Sequence, residues 1–148
     1  MDILIKASGD VIEKTTFYDW LFTITNSSDR LFILCGGGTS ITKALQKQGI
    51  EYEFFPTGRE IKNEKGRIIA EDILREQKRL TEEQLNQRGI KATVFIPVFK
   101  LGDKVCHVNG DSYAMALYPS FNKIFIVTLR GRNKSFPNDL DKIEVVYL

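Results

Sequence analysis

Short runs of consecutive apolar residues indicate where this chain forms buried strands. Four runs stand out, at residues 3–5, 31–34, 93–96 and 124–127. Strands that are apolar at nearly every position are typical of a parallel sheet covered on both faces. We therefore predict that these four segments are the inner strands of one mainly parallel sheet.

Between the first two runs, the apolar residues recur with a helical period. Phe17, Leu21 and Ile24 fall on one face of a helix, which Thr15 or Thr16 can cap. A second short helix follows the second strand. The N-terminal third of the chain is thus predicted to alternate strand, helix, strand, helix, as in a parallel sheet with covering helices.

The segment 65–88 is charged and carries only a thin apolar stripe. Residues 81–84, Thr-Glu-Glu-Gln, match a capping box, so we predict two helices that break near Leu80. Farther along, residues 92–99 and 143–147 are rich in β-branched and aromatic side chains. These two segments are predicted strands, the second of them the last element of the chain.

The second predicted strand runs directly into three glycines, Gly36, Gly37 and Gly38. Glycines let the backbone take a positive φ and let another group approach closely. Thr39 or Ser40 is predicted to cap the helix that follows, whose free amides then point back at the glycines. A strand, a glycine turn and a helix N-terminus together form an anion site, most commonly for phosphate. A tight turn without a ligand stays the alternative.

The composition excludes some classes of function without selecting one. The chain has 148 residues, 43% hydrophobic and 27% charged, which predicts a single globular domain over residues 1–148. A net charge of +2 does not suggest nucleic acid or a membrane surface as a partner, and no apolar stretch is long enough to span a bilayer. Cys35, Cys106 and the single histidine, His107, show no metal-binding spacing. We expect free thiols, no metal ligands and a cytoplasmic location.

Four stretches occur in a specific order: residues 6–10 (Lys-Ala-Ser-Gly-Asp), 34–38 (Leu-Cys-Gly-Gly-Gly), 58–59 (Gly-Arg) and 108–114 (Val-Asn-Gly-Asp-Ser-Tyr-Ala). They resemble the Lys-x-Ser/Gly-Gly, Gly-Gly-Gly, Gly-x-Arg and Asn-x-Asp-Thr-x-Ala motifs of the amino acid kinase superfamily, although the spacing of the third differs. This superfamily includes acetylglutamate, carbamate and uridylate kinases and the aspartokinases. The resemblance covers residues 3–128 and implies a carbamate kinase-like α/β fold, a three-layer sandwich with a mainly parallel central sheet.

The resemblance also implies an ATP- and Mg²⁺-dependent transfer of a phosphoryl group to a small anionic metabolite, either a carboxylate or a phosphate. Lys6 would stabilise charge on the transferred group, and Asp111 would orient the catalytic lysine or lysines. Arg59 would clamp the acceptor. The implied phosphate-binding residues belong to the first two motifs: Ser8, Gly9, Gly36, Gly37 and Gly38. For Asp111, an ordinary helix N-cap is the alternative; assembly into a homo-oligomer is left open.

The chain also departs from the family pattern. Residues 128–132 read Thr-Leu-Arg-Gly-Arg where the family has Thr-Asp-Val-Asp-Gly, and the part that holds adenine and a second catalytic lysine is expected to be largely absent. Arg130, Arg132 or Lys134 could replace that lysine, but charges exposed to solvent on a loop are the favoured interpretation. These departures support a second hypothesis, a non-catalytic derivative that binds a nucleotide or small anion or acts as a subunit or scaffold.

If the chain is a kinase, Lys6 and Asp111 are expected to act as one unit across the cleft, since both would stand at the carboxyl ends of neighbouring strands. Replacing a lysine in a cleft is expected to leave no buried partner stranded, so it would hardly affect stability. Residues 56–59 are predicted to form a turn that presents Arg59.

Overall fold

The computed structural model describes residues 1–55 and 58–148, so Pro56 and Thr57 of the predicted turn lie outside the described residues. Five strands form the central sheet: β1 (Asp2–Ala7), β2 (Arg30–Cys35), β5 (Ala92–Phe95), β8 (Lys123–Thr128) and β9 (Ile143–Tyr147). Their order is β5-β2-β1-β8-β9, and every neighbouring pair is parallel. The predicted parallel α/β sheet is confirmed.

Two short hairpins stand apart from this sheet. The first pairs β3 (Glu53–Phe55) with β4 (Gly58–Glu60), and the second pairs β6 (Val98–Leu101) with β7 (Lys104–His107), both antiparallel. The helices are α1 (Gly9–Ile12), α2 (Thr15–Ile24), α3 (Gly38–Lys47), α4 (Glu64–Gln87) and α5 (Gly110–Ala116), followed by a 3-10 helix at Tyr118–Ser120. Among the described residues, no helix is both long enough and apolar enough to cross a membrane.

The two faces of the sheet support separate hydrophobic clusters, because side chains alternate along each strand. On one face, Ile3 and Ile5 of β1 pack with α1, α2 and the end of α4. On the other face, Leu4 packs with Ile124 of β8 and with Ala114 of α5. The result is the predicted sandwich of three layers, with the sheet in the middle. Lys6 has the same parity as Leu4 and therefore faces the α5 layer.

Several local predictions are wrong. The strand predicted at residues 93–96 as an inner strand lies at the edge of the sheet, because only β2 pairs with it. The segment 65–88 forms one helix without a break near Leu80. Thr81 is only 1% exposed, and its hydroxyl donates a hydrogen bond to the Gln77 carbonyl one turn earlier in the same helix. Thr81 therefore does not cap a second helix.

The predicted caps of the first two long helices also differ from those observed. Helix α2 starts after Lys14 with no capping side chain, so neither Thr15 nor Thr16 has that role. Helix α3 starts at Gly38, and its N-cap residue is Gly37, so neither Thr39 nor Ser40 precedes the first turn. In both helices the hydroxyl residues lie inside the first turn and not at the N-cap position.

Candidate functional site

Lys6 is a buried cation near the carboxyl end of β1. The residue is 7% exposed, and its Nζ lies 2.8 Å from Oδ1 of Asp111. Burial lowers the pKa of the Lys6 ammonium group, and the negative charge of Asp111 opposes that shift. The expectation that replacing Lys6 would strand no buried partner is therefore wrong, because the side chain of Asp111 is itself only 19% exposed.

Asp111 is the second residue of α5, and it is not the N-cap. That role belongs to Asn109, whose Oδ1 accepts a hydrogen bond of 2.9 Å from the Ser112 amide. Asp111 therefore lies on a helix, and the expectation that it stands at the carboxyl end of a strand is wrong. A Cβ added at Gly110 would lie 2.8 Å from Cε of Lys6, so this glycine allows α5 to approach the lysine closely.

Asp111 also forms an ion pair through Oδ2 with the ammonium group of Lys134. Burial would raise the pKa of Asp111, but the two lysines together hold it below its usual range. One carboxylate thus aligns two lysines that are far apart in the sequence. The interpretation of Lys134 as a solvated loop charge is wrong.

Arg132, in the same loop after β8, makes a second ion pair. Its Nη2 lies 2.6 Å from Oδ2 of Asp10, so Arg132 is also not merely solvated, whereas Arg130 is exposed. The loop approaches the site because β8 lies beside β1 in the parallel sheet, so their carboxyl ends meet at one edge. Nothing local in the sequence distinguishes these two charges from that of Arg130.

The three consecutive glycines mainly allow two strand ends to meet. A Cβ on Gly9 would lie 2.6 Å from the carbonyl carbon of Gly37 and 2.7 Å from the Gly36 oxygen. The Gly36 amide already donates to the Ala7 carbonyl at 2.8 Å. Only Gly38 has a positive φ, at 54°, whereas Gly37 has φ −90°. The expectation of a positive φ therefore applies to Gly38 alone.

The carboxylate of Asp10 accepts the hydrogen bonds at the start of α3. Its Oδ1 accepts hydrogen bonds from the Thr39 amide at 3.3 Å and from the Thr39 hydroxyl at 2.6 Å. Burial would raise the pKa of Asp10, but the bonds from Thr39 and Arg132 hold it below its usual range. A carboxylate of the chain itself therefore occupies part of the predicted anion site.

Ser8 is the residue whose predicted role best fits a ligand. It is 6% exposed, and its buried Oγ has no hydrogen-bond partner among residues 1–55 and 58–148. Buried hydroxyls normally have a partner, so this oxygen is suited to a bound group. Around the same strand ends, three cations face two carboxylates, which leaves one positive charge in excess: Lys6, Arg132 and Lys134 against Asp10 and Asp111.

These residues fit the phosphate groups of a nucleotide better than they fit a metal ion directly. A buried hydroxyl without a partner and an excess of positive charge are suited to an anion. By contrast, the described part of the chain contains no group of three or more His, Cys, Asp or Glu side chains that could hold a metal ion.

Arg59, on β4, connects the first hairpin to α3. Its Nη2 donates to the Thr42 hydroxyl at 2.6 Å and to the Gly38 carbonyl at 3.3 Å. The guanidinium carbon lies 5.5 Å from the ring centre of Tyr52 and 5.0 Å from that of Phe54. One amino group of Arg59 is therefore used within the protein, while its buried Nε has no hydrogen-bond partner in the described part of the chain.

Gly58, beside Arg59, brings the hairpin against the start of α5. Its φ is 118°, and an added Cβ would lie 2.4 Å from Cβ of Asn109. The four stretches that carry the family resemblance therefore meet in space: β1 with the glycine turn, the turn with Arg59, and Gly58 with the start of α5. Their order along the sequence did not require this convergence.

Comparisons with known proteins inform the fold and no more. The chain is similar to the crystal structure of smu.665 from Streptococcus mutans UA159, with a TM-score of 0.57 and 12% sequence identity, over 86% of this chain and 72% of that one. No protein-family model and no curated protein matches the sequence. At this identity the similarity supports the α/β sandwich and leaves the function to the site itself.

Proposed function

We propose that this protein is a small-molecule phosphotransferase of the amino acid kinase superfamily, which transfers the γ-phosphoryl group of ATP to a carboxylate or phosphate acceptor. The observation that carries the proposal is the pairing of Asp111 with both Lys6 and Lys134. Phosphoryl transfer depends chiefly on positioned positive charge, and two lysines fixed by one carboxylate supply it.

Each residue has a defined part in this proposal. Lys6 and Lys134 stabilise negative charge on the transferred group, and Asp111 orients both ammonium groups through its two carboxylate oxygens. The Ser8 hydroxyl donates a hydrogen bond to a phosphate oxygen at the same strand end. When bound, ATP would supply the phosphoryl group, and Mg²⁺ carried on its phosphates would neutralise part of their charge.

Arg59 is assigned to the acceptor in this proposal. Its Nη2 is held by Gly38 and Thr42, which fixes the guanidinium group beside the glycine turn. A fixed guanidinium group loses little conformational freedom when it binds an oxyanion. The protein is proposed to be cytoplasmic, with a small anionic metabolite and not a nucleic acid as its partner.

A non-catalytic derivative that binds a nucleotide or small anion is the second candidate. It is favoured by Asp10, whose carboxylate already contacts Thr39 at the start of α3 and pairs with Arg132. A carboxylate in this position competes with a phosphate for the same donors.

An assay of ATP consumption with Mg²⁺ and a panel of carboxylates and phosphorylated metabolites tests the proposal. The unmodified protein is expected to form ADP with at least one acceptor, and Lys6→Met is expected to remove that activity. If no acceptor raises ADP formation above the Lys6→Met control, the phosphotransferase proposal fails and only binding remains.

A further inference from the structure

A groove of about 550 Å³ lies beside the two hairpins and is separate from the buried lysine pair. Its lining includes Phe55, Arg59, Arg67, Lys104 and His107, and it contains neither Lys6 nor a residue of the three-glycine turn. The volume is within the range of small-molecule sites.

The charges around the groove are predominantly positive. Arg59, Arg67 and Lys104 line it, against the single carboxylate of Glu60. Lys104 is exposed and forms no ion pair or hydrogen bond with a described residue, so its ammonium group can take an incoming anion. Among the described residues that line it, the groove therefore carries an excess of positive charge.

Arg67 is already oriented by the backbone. Its Nη1 donates to the carbonyls of Ile61 at 3.1 Å and Lys62 at 2.7 Å. The other edge of the guanidinium group, formed by Nε and Nη2, makes no hydrogen bond to a described residue. Two parallel N–H donors on a planar edge match the two oxygens of a carboxylate or phosphate group.

The remaining lining is partly apolar. Ile61 and Val105 are 5% and 6% exposed, and Phe55 adds an aromatic ring. The buried Nδ1 of His107 has no hydrogen-bond partner among the described residues. Burial together with Arg59 lowers the pKa of His107 to about 4, so the ring is neutral near pH 7. A neutral imidazole can both donate and accept a hydrogen bond.

We propose that this groove binds a small organic oxyanion, a carboxylate or a phosphate ester with an apolar body, through the free edge of Arg67 and the ammonium group of Lys104. The inference goes beyond the proposed function, because such binding requires neither Lys6 nor Asp111, although Arg59, which that proposal assigns to the acceptor, also lines the groove. The apolar body packs against Phe55 and Val105.

Titration of the protein with phenyl phosphate and with benzoate, followed by calorimetry and by amide chemical shifts, tests the proposal. Phenol, which has the ring without the anion, is the ligand control. At least one of the two anions should bind saturably and shift the amides of residues 104–107, and phenol should not. The tighter of the two anions identifies the class of ligand.

Lys104→Gln should weaken the binding about tenfold, the usual effect of losing a charged hydrogen bond. The matched control is Lys91→Gln, at an exposed lysine just before β5 that does not line the groove. This variant should bind the anion as tightly as the unmodified protein does. Arg67→Gln should weaken binding at least as much. Because Arg67 also holds the backbone at residues 61–62, Lys104→Gln is the deciding variant.

The proposal is overturned if neither anion binds saturably, or if Lys104→Gln binds both as tightly as the unmodified protein. Binding that Lys104→Gln leaves intact and Lys6→Met abolishes would also overturn it, because the anion would then occupy the glycine turn. Absence of ATP turnover has no bearing on this binding test. The groove proposal can therefore fail or succeed independently of the phosphotransferase proposal.

Discussion

The carboxylate of Asp111 on α5 lies 2.8 Å from the ammonium group of Lys6 on β1, and the two side chains are only 19% and 9% exposed. A lysine this deeply buried has lost most of its hydration, which is costly unless an opposite charge compensates. Lys134 adds a second cation to the same carboxylate. The three charges therefore depend on one another for stability as well as for any chemistry.

Asp111→Ala should lower the free energy of unfolding by about 3 kcal/mol, because it leaves a buried ammonium group without a partner. Urea denaturation near pH 7 measures the change. Asp103→Ala, at an exposed turn position that forms no ion pair with a described residue, is the control and should cost less than about 0.5 kcal/mol.

The combined variant Lys6→Met with Asp111→Ala should recover part of the loss, because the more deeply buried of the two ammonium groups that Asp111 pairs with is then removed. Equal stability of Asp111→Ala and the unmodified protein would show that Lys6 is hydrated in solution. That result would restore the expectation, drawn from the sequence, that substitutions in the cleft hardly affect stability.

Gly9→Ala should destabilise the protein more than Gly37→Ala. An added methyl at Gly9 meets the backbone of the glycine turn at 2.6 Å, which cannot move without separating two strand ends. At Gly37 the nearest atom is Cδ1 of Ile41, at 2.0 Å, and a side chain can change its rotamer.

We expect losses of about 3 kcal/mol for Gly9→Ala and about 1 kcal/mol for Gly37→Ala, the range found for overpacked sites. Thermal or urea denaturation of both variants gives the comparison. A larger loss at Gly37 would contradict the packing described for the turn.

The central sheet was predictable because its strands are short and apolar throughout, as at residues 31–34 and 124–127. Such strands must be buried on both faces, whatever the details of the chain. The prediction of a helix break near Leu80 is wrong for a related reason. Thr81 matches a capping signal locally, but its burial against the sheet continues the helix, so tertiary packing outweighs local preference.

The site was predictable only in part. Lys6, Ser8 and Asp111 could be selected because motifs place them at strand and helix ends. Lys134 could not, because its contact with Asp111 depends on the path of the loop after β8. A charged residue in a polar loop has the same local sequence signal whether it points to solvent or to a buried carboxylate.

His107 should make the protein less stable as the pH falls from about 7.5 to about 5. Its pKa is about 4 in the folded state against 6.5 ordinarily, so the unfolded chain binds the proton more readily in this window. Stability is therefore lost as pH falls below the unfolded pKa, by about 2 kcal/mol at pH 5.

Urea denaturation at both pH values measures the effect. The control is His107→Gln, whose free energy of unfolding should fall less between the two pH values than that of the unmodified protein. Asp10 and Asp111 have pKa values held below their usual range, so their contribution is lost only at more acidic pH. If His107→Gln shows the same pH dependence as the unmodified protein, the histidine is hydrated and titrates normally.

Arg132→Gln and Arg130→Gln should differ although the two positions are neighbours in one loop. Arg132 pairs with Asp10 at 2.6 Å, whereas the side chain of Arg130 is exposed. The first substitution should cost about 1 kcal/mol of unfolding free energy and the second close to none. Equal effects in urea denaturation would mean that the loop does not hold this position in solution.

Turnover of single and double lysine variants tests the central claim, that Lys6 and Lys134 act as one unit on a phosphoryl group. The measurement is the initial rate of ADP formation with saturating ATP, Mg²⁺ and the best acceptor from the panel, with Lys91→Met as control. Lys6→Met and Lys134→Met should each lower the rate by ~10²–10³, and the double variant should lower it little further. A full rate in Lys134→Met, or no ADP formation by the unmodified protein above Lys6→Met, would contradict the claim.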